Sequence, residues 1–458
     1  MFENIIGQAA AENIKADILA RRLAPSMLFF GPEASGKGST AIELARTLSC
    51  ENTAALWNCG CSSCVRHRML VHTDLAMIGS RNFSAEAAAA RTAFLRDTSS
   101  VAGRSFFIRS LRKLMARFSP AIWEYEPKPG RVNLLTLLQT LEEELDEFES
   151  LTAVSSEAAD IISLEKRTGA LVKNAVKLED EGISESIPVA QVRRAAYWCH
   201  LAPTGKCKIL IIENADRMKD EARNSLLKLL EEPPETVNII LTVRRRETVL
   251  PTILSRLRQY RFLARDASQE REIIRRIFRD FTVAGDTDQN NEIGSQKITQ
   301  LGMVKSYLDS FLPQPPEKLL SLAAFFIAAV SLSAAAFAKN REVNKFSPAL
   351  KVMVAYCAPI AEAAGFERTT NEEETLTALL SKSGNFEGRS FSRFLTLALD
   401  MVSSSLKQCT PYPGLISCGD IWRKRLTEAQ AANGVWNQRP ELALESLFYR
   451  LREELAGV

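Results

Sequence analysis

Residues 26–40 read SMLFFGPEASGKGST: a short apolar run, a glycine-bounded loop and the start of a helical stretch. No other part of the chain restricts the fold as strongly. A run this apolar suits a strand buried on both faces, and a strand feeding directly into a loop and helix suits a parallel sheet joined by helical crossovers. With one exception the loop also fits G-x-x-x-x-G-K-[ST], in which backbone N–H groups cradle phosphates, the lysine contacts them and the hydroxyl ligates Mg²⁺. Gly31, Gly36 and Lys37 stand in place, but Gly38 occupies the hydroxyl position, with Ser39 and Thr40 following it. The pattern therefore predicts an α/β domain with a nucleotide loop that lacks one metal ligand.

Two further apolar runs extend the sheet. Lys208–Ile212 (KILII) and Asn238–Val243 (NIILTV) are expected as buried strands, separated by a helix over 219–232 that stops at Pro233-Pro234. Helices are also expected over Ala9–Arg22 and Thr40–Cys50. An active phosphate site ends its second strand in Asp-Glu, the first carboxylate supporting Mg²⁺ and the second orienting water. Here KILII ends in Glu213-Asn214. Glu213 still carries charge on a longer arm, whereas Asn214 has no negative charge to accept a developing proton. With Thr242 in the next strand, these residues complete the candidate nucleotide set. Beyond it, LPTILSR places Ser255 and Arg256 where a guanidinium either forms a surface turn or reaches a neighbour's phosphate.

The 458 residues exceed one ordinary core, so about two or three domains are expected. The net charge of +3 gives no global field, so any nucleic-acid contact must be local. Cys50, Cys59, Cys61 and Cys64 are bunched and suit a tetrahedral structural Zn²⁺. One residue separates Cys59 from Cys61 where two or more are usual; the alternative is unliganded cysteines near a surface, with His67 or His72 as a substitute ligand. Such a cluster fits a reducing compartment, and the first residues lack an apolar stretch after a basic start, so the expectation is cytoplasmic.

Between the strand-bearing halves, about residues 80–185 are helical in pattern. Leu134, Leu138, Leu141, Leu145 and Phe148 form one stripe and Ile161, Leu164, Leu171, Ala175 and Leu178 another, so an antiparallel hairpin is expected. Arg104, Arg109, Arg112, Lys113 and Arg117 crowd one helix, read as a solvated face, with a DNA-facing patch as the alternative. After Arg265 strand signals stop. A polar piece near 284–296 and LPQPPEK at 312–318 punctuate helical blocks. Residues 319–338 carry no charge and are long enough to span a bilayer, but their alanine and serine content favours a helix buried in an all-α domain.

Taken together, FENIIGQ, GPEASGKGST, the cysteine module with HTDL, IPVAQVRRAAYWCHLAPTGKCKILIIENADRM, EARNSLLKLLEEPPE and LPTILSR resemble the bacterial DNA polymerase III clamp-loader subunits, which are AAA+ proteins. The resemblance covers most of 1–79 and 186–263. It implies an AAA+ domain over 1–263 with the cysteine module near 50–72, then a helical lid over 264–312 and an all-α collar over 313–458; the helical insert near 80–185 has no counterpart in the family pattern. Within the family, gamma/tau subunits are ATPases. The delta-prime subunit usually does not hydrolyse ATP; it is a rigid ring member that offers an arginine to the adjacent subunit. Gly38 and Asn214 depart from the gamma/tau pattern toward delta-prime, and Ser255-Arg256 keeps the donor motif, although Leu257 stands where the motif has cysteine.

The resemblance thus implies a delta-prime-type subunit in a pentameric ring with gamma/tau and delta. That ring loads a sliding clamp onto primed DNA without a membrane. Zinc is the expected cofactor, ATP is bound weakly if at all, and Arg256 acts in trans. The alternatives are a gamma/tau-like ATPase in which Ser39 or Thr40 ligates Mg²⁺, and a zinc-bearing AAA+ scaffold in repair.

Overall fold

The computed structural model describes residues 1–124, 133–154, 161–184, 186–281, 303–312, 316–340, 347–383, 386, 390–408, 419–429 and 440–454. Two compact units result, Met1–Leu312 and Pro313–Val458.

In the first unit the elements run α1 (Ala9–Leu19), β1 (Ser26–Phe30), α2 (Lys37–Ser49), α3 (Ser62–Arg68), β2 (Leu75–Ile78), α4 (Phe83–Arg96), α5 (Val101–Met115), α6 (Leu134–Val154), α7 (Ile161–Gly182), α8 (Val189–His200), β3 (Lys208–Ile212), α9 (Asp220–Glu231), β4 (Val237–Val243), α10 (Pro251–Leu254), β5 (Arg258–Arg261) and α11 (Ala267–Ile277). The five strands form one sheet in the order β2-β3-β4-β1-β5, every pairing parallel. The three apolar runs hold the centre, as burial on both faces requires.

Side chains alternate across this sheet, as the period of two dictates. Leu28, Leu210, Ile212, Ile239 and Leu241 point to a core closed by α8, α9 and α10. Met27, Phe29, Ile209, Ile211 and Ile240 point to the other face, closed by α1 and α2. β2 and β5 are short edge strands; β5 reads RQYR, of which only Tyr260 is buried.

The connection from β2 to β3 is the helical segment. α6 and α7 pack on each other, with Glu147 bonded to Arg167 and Glu144 to Asn174, so the pair is antiparallel. Their stripes meet α4 and α5 around Phe83, Phe94, Phe107, Leu141, Leu145, Phe148, Leu171 and Leu178. Ile161 falls off the stripe and is exposed. The basic run along α5 and just past it is not a solvated face: none of its five side chains is exposed. Arg112 pairs with the half-buried Glu149, Lys113 with Glu86, and Arg117, just past α5, with Glu213; the last two carboxylates are buried and need counter-charges.

Downstream, α11 and the helix Val304–Asp309 pack against α4 through Ile273, Ile274, Phe278, Val304 and Tyr307. The polar piece at 284–296 lies outside the described residues. In the second unit the uncharged stretch is a core helix, Pro316–Asn340, packed by Ser347–Ala363, Glu372–Ser383, Ser390–Gln408 and Pro440–Glu454. Leu322, Ala323, Phe326, Ile327 and Val330 are fully enclosed there.

Candidate nucleotide site, zinc module and exposed arginine

β1 delivers its glycine loop at a carboxyl-terminal strand end, where parallel sheets hold ligands. β3 delivers Glu213 at its own carboxyl end, and Thr242 lies on β4 between the two. Gly31 is forced by close approach: a Cβ there would lie 2.1 Å from the Phe262 carbonyl oxygen. Gly36 caps α2 in the left-handed region, φ 94°. Lys37 donates from Nζ to the Gly31 carbonyl at 2.7 Å and the Pro32 carbonyl at 2.5 Å, so the loop's own oxygens hold it. Burial pulls its pKa down to about 8. Arg265 lies across the same loop, donating to the Ala34 carbonyl at 2.5 Å and the Ile6 carbonyl at 2.9 Å. Thr40 is buried and its hydroxyl donates back to the Gly36 carbonyl at 3.0 Å, while Ser39 is exposed.

Glu213 reaches across to α2. A Cβ at residue 38 would lie 2.4 Å from Glu213 Oε1 and 3.4 Å from Arg81 Nη1. The longer carboxylate arm therefore fills the space that glycine leaves. Its Oε1 accepts from Arg81 at 3.2 Å, and its Oε2 accepts from Arg117, which also donates to the Gly79 carbonyl at 3.1 Å. Glu86 pairs with Arg81 and Lys113 and closes the network. Burial opposes ionisation of Glu213, but Arg81 and Arg117, with Lys113 behind them, hold its carboxyl below the usual range. Asn214 is in the left-handed region, φ 52°; its N–H donates to Thr242 Oγ1 at 3.2 Å and its side-chain amide to the Ser80 carbonyl at 2.7 Å. It acts as a structural tie.

The four thiols Cys50, Cys59, Cys61 and Cys64 converge with sulfurs all within 4.8 Å of one another. Cys50 and Cys59 are 3.7 Å apart, close to the ~3.8 Å edge of a tetrahedron with ~2.3 Å zinc–sulfur bonds. Among the described residues the histidines are not in this cluster. His72 is spent on Ser63 and the Asp74 N–H, at 3.1 Å each, and stacks on His67. Donors already face the sulfurs: Arg46 Nη1 lies 3.0 Å from Cys64 and Asn52 Nδ2 3.0 Å from Cys59. The Cys61 backbone and Asn52 bring the Cys59 thiol down to about 6, whereas burial pushes Cys50 and Cys64 up. A metal cation is what would let the buried pair ionise, so the donor set fits Zn²⁺. Arg46 also bonds Glu43 and the Ala55 and Leu56 carbonyls, riveting α2 to the module.

Arg256 follows α10 and precedes β5. It therefore sits at the amino end of that parallel strand, whereas the glycine loop sits at the carboxyl end of β1. Its Nη1 donates to the Thr252 carbonyl at 2.6 Å and to Ser255 Oγ at 3.3 Å, and its Nη2 pairs with Glu231 at 2.8 Å. The glycine loop, Lys37, Glu213 and Thr242 thus share one end of the sheet, the cysteines form a second site and Arg256 a third. Arg46, Arg81 and Arg265 escaped the sequence reading, and Arg117 entered it only as part of a basic helix face. The one signal for a partner was Glu213 itself, a carboxylate closing a fully apolar strand.

A family model described as "DNA polymerase III, delta subunit" matches residues 6–124 and 148–266, just over half of the chain. The match runs through much of the helical segment and leaves only 125–147 unmatched between its two parts. DNA polymerase III subunit tau of Escherichia coli (strain K12) is 34% identical over 80 residues. That stretch is 18% of this chain and 12% of the tau subunit, so only a small fraction of that relative is spanned. A gamma-subunit-related protein from Thermotoga maritima aligns at 20% identity over 59% of this chain and 81% of its own, at a TM-score of 0.27, too loose to bear on the fold. The parallel sheet, the glycine loop at its carboxyl edge and the family match over both halves agree: the chain belongs to the DNA polymerase III clamp-loader family described by its delta-subunit model.

Proposed function

We propose that this chain is a delta-prime-type clamp-loader subunit that does not hydrolyse ATP. It joins gamma/tau and delta subunits in a pentameric ring in the cytoplasm, opens the sliding clamp with them and places it on primed DNA. Zn²⁺ on Cys50, Cys59, Cys61 and Cys64 stiffens the module after α2. Arg256, steadied by Ser255, completes the neighbour's ATP site. Its place at the amino end of β5 supports action in trans, because this chain's own loop lies at the other end of the sheet.

The observation that carries the reading is the Gly38–Glu213 fit: the carboxylate stands within 2.4 Å of where a metal-ligating side chain would start. Thr40 supports it, since its hydroxyl is turned back to the Gly36 carbonyl. Loss of the metal ligand and of the water-orienting carboxylate costs roughly a hundredfold each. The purified chain should therefore turn over ATP no faster than its Lys37→Ala variant, and mixing it with gamma/tau and delta subunits should yield a ring that loads clamps. Turnover abolished by Lys37→Ala would sink the assignment.

A further inference from the structure

Arg117 is among the largest fully buried side chains of the molecule. It arrives from the turn after α5, lies over the Phe83 ring at 5.1 Å, and spends Nε on the Gly79 carbonyl and Nη2 on Glu213. Arg81 takes the other oxygen of the same carboxylate. In a working phosphate site that carboxylate faces a hydrated divalent cation, the largest local charge present. Here its oxygens face two guanidiniums, and residue 38 beside it offers no ligand oxygen.

We propose that Arg117, backed by Arg81, is a built-in counter-ion that takes the place of the divalent metal, so that any nucleotide held by the glycine loop is held without Mg²⁺. Two groups enforce this. Glu213 is neutralised before a metal arrives. A metal drawing Glu213 away would strand Arg117 in the interior without its partner, which is strongly unfavourable. The segment between β2 and β3 thereby acquires a task, since it carries Lys113 and Arg117 into the site. The inference rests on the reading of the loop as a spent nucleotide site.

The test uses the full chain in metal-depleted buffer without chelator, which would strip the cysteine module. A fluorescent ATP analogue is titrated with and without added Mn²⁺. Wild type should show the same affinity in both within about twofold, or no binding in either. Arg117→Gln, checked for wild-type circular dichroism, should gain about tenfold or more in the presence of Mn²⁺. Arg81→Gln removes a side chain that is 27% exposed and is the milder change; it should gain less but measurably. A wild-type chain that does not hydrolyse ATP yet binds the analogue about tenfold tighter with Mn²⁺ overturns this inference alone. Hydrolysis by wild type overturns the spent-site reading and this inference with it. Folded Arg117→Gln without metal dependence also overturns it, and if that variant does not fold, the same result from folded Arg81→Gln decides.

Discussion

Replacing Gly38 with threonine restores the hydroxyl that the glycine loop lacks, and the structure says it should harm the protein. The new Cβ would start 2.4 Å from Glu213 Oε1, about 1 Å inside ordinary contact. Glu213 has nowhere to retreat, because Arg117 holds one oxygen and Arg81 the other at 3.2 Å. Overpacking of this kind costs about 1–3 kcal/mol and loosening a buried charged hydrogen bond about as much again, while helix propensity returns only a few tenths. The net is about 3 kcal/mol, or roughly 5 °C in the melting of the first unit. Glu213→Asp shortens the arm by one methylene and clears the space. Gly38→Thr with Glu213→Asp should therefore be less destabilised than the summed single variants by about 1 kcal/mol or more. Thermal and urea unfolding of the four proteins, followed by circular dichroism, measures the cycle. Gly38→Thr melting with wild type, or a strictly additive double variant, would refute the idea that the two residues fill one space.

Protein purified without added zinc should contain about one equivalent of the metal, and Cys64→Ser should lower both zinc content and melting temperature; a metal-free chain unaffected by that substitution would end the zinc assignment. Arg256→Ala should leave ring assembly intact but slow ATP turnover by the complex about a thousandfold, and Arg256→Lys should not rescue it, because a point charge lacks the planar fork. Unchanged DNA-stimulated turnover would remove the arginine from that role. For pH, the folded Glu213 carboxyl lies below its unfolded range, so its contribution is present at neutral pH and is lost as pH falls through the folded value. Arg117→Gln removes one of the two guanidiniums and lets burial push that carboxyl up. The folded variant then binds the proton more readily than the unfolded chain, so it should be destabilised at pH ~7 and regain part of its stability toward pH ~5. A melting difference from wild type that does not shrink over that range would count against the buried pair.

The sequence reading reached the centre of the sheet and missed its edges, for a physical reason. KILII and SMLFF are buried on both faces and must be apolar throughout, so their bounds match β3 and β1. LAMI and RQYR have one neighbour each; the second is charged or polar at every position but Tyr260 and resembles a surface turn. The glycine loop and the cysteine cluster were legible because their residues are close in sequence. Arg117 and Glu213 are 96 positions apart and Arg81 and Glu213 are 132 apart, and no local pattern records such a pairing. The basic run on α5 looked like a wet surface because periodicity reports where charges lie around a helix, not what they face.

Segments inserted between strands are ordinarily the first parts trimmed when a smaller protein is wanted, because their backbones lie at the surface and little else depends on them. The turn that carries Arg117 breaks that expectation. A shortened chain joining Gly79 to Ile187 would keep every strand of the sheet, yet it would leave Glu213 facing the interior with its deepest counter-charge gone. Such a minimal version, or a chimera that borrows only the sheet, would need Glu213 exchanged for an apolar residue of similar volume in the same step, since buried ion pairs can be replaced whole but not halved.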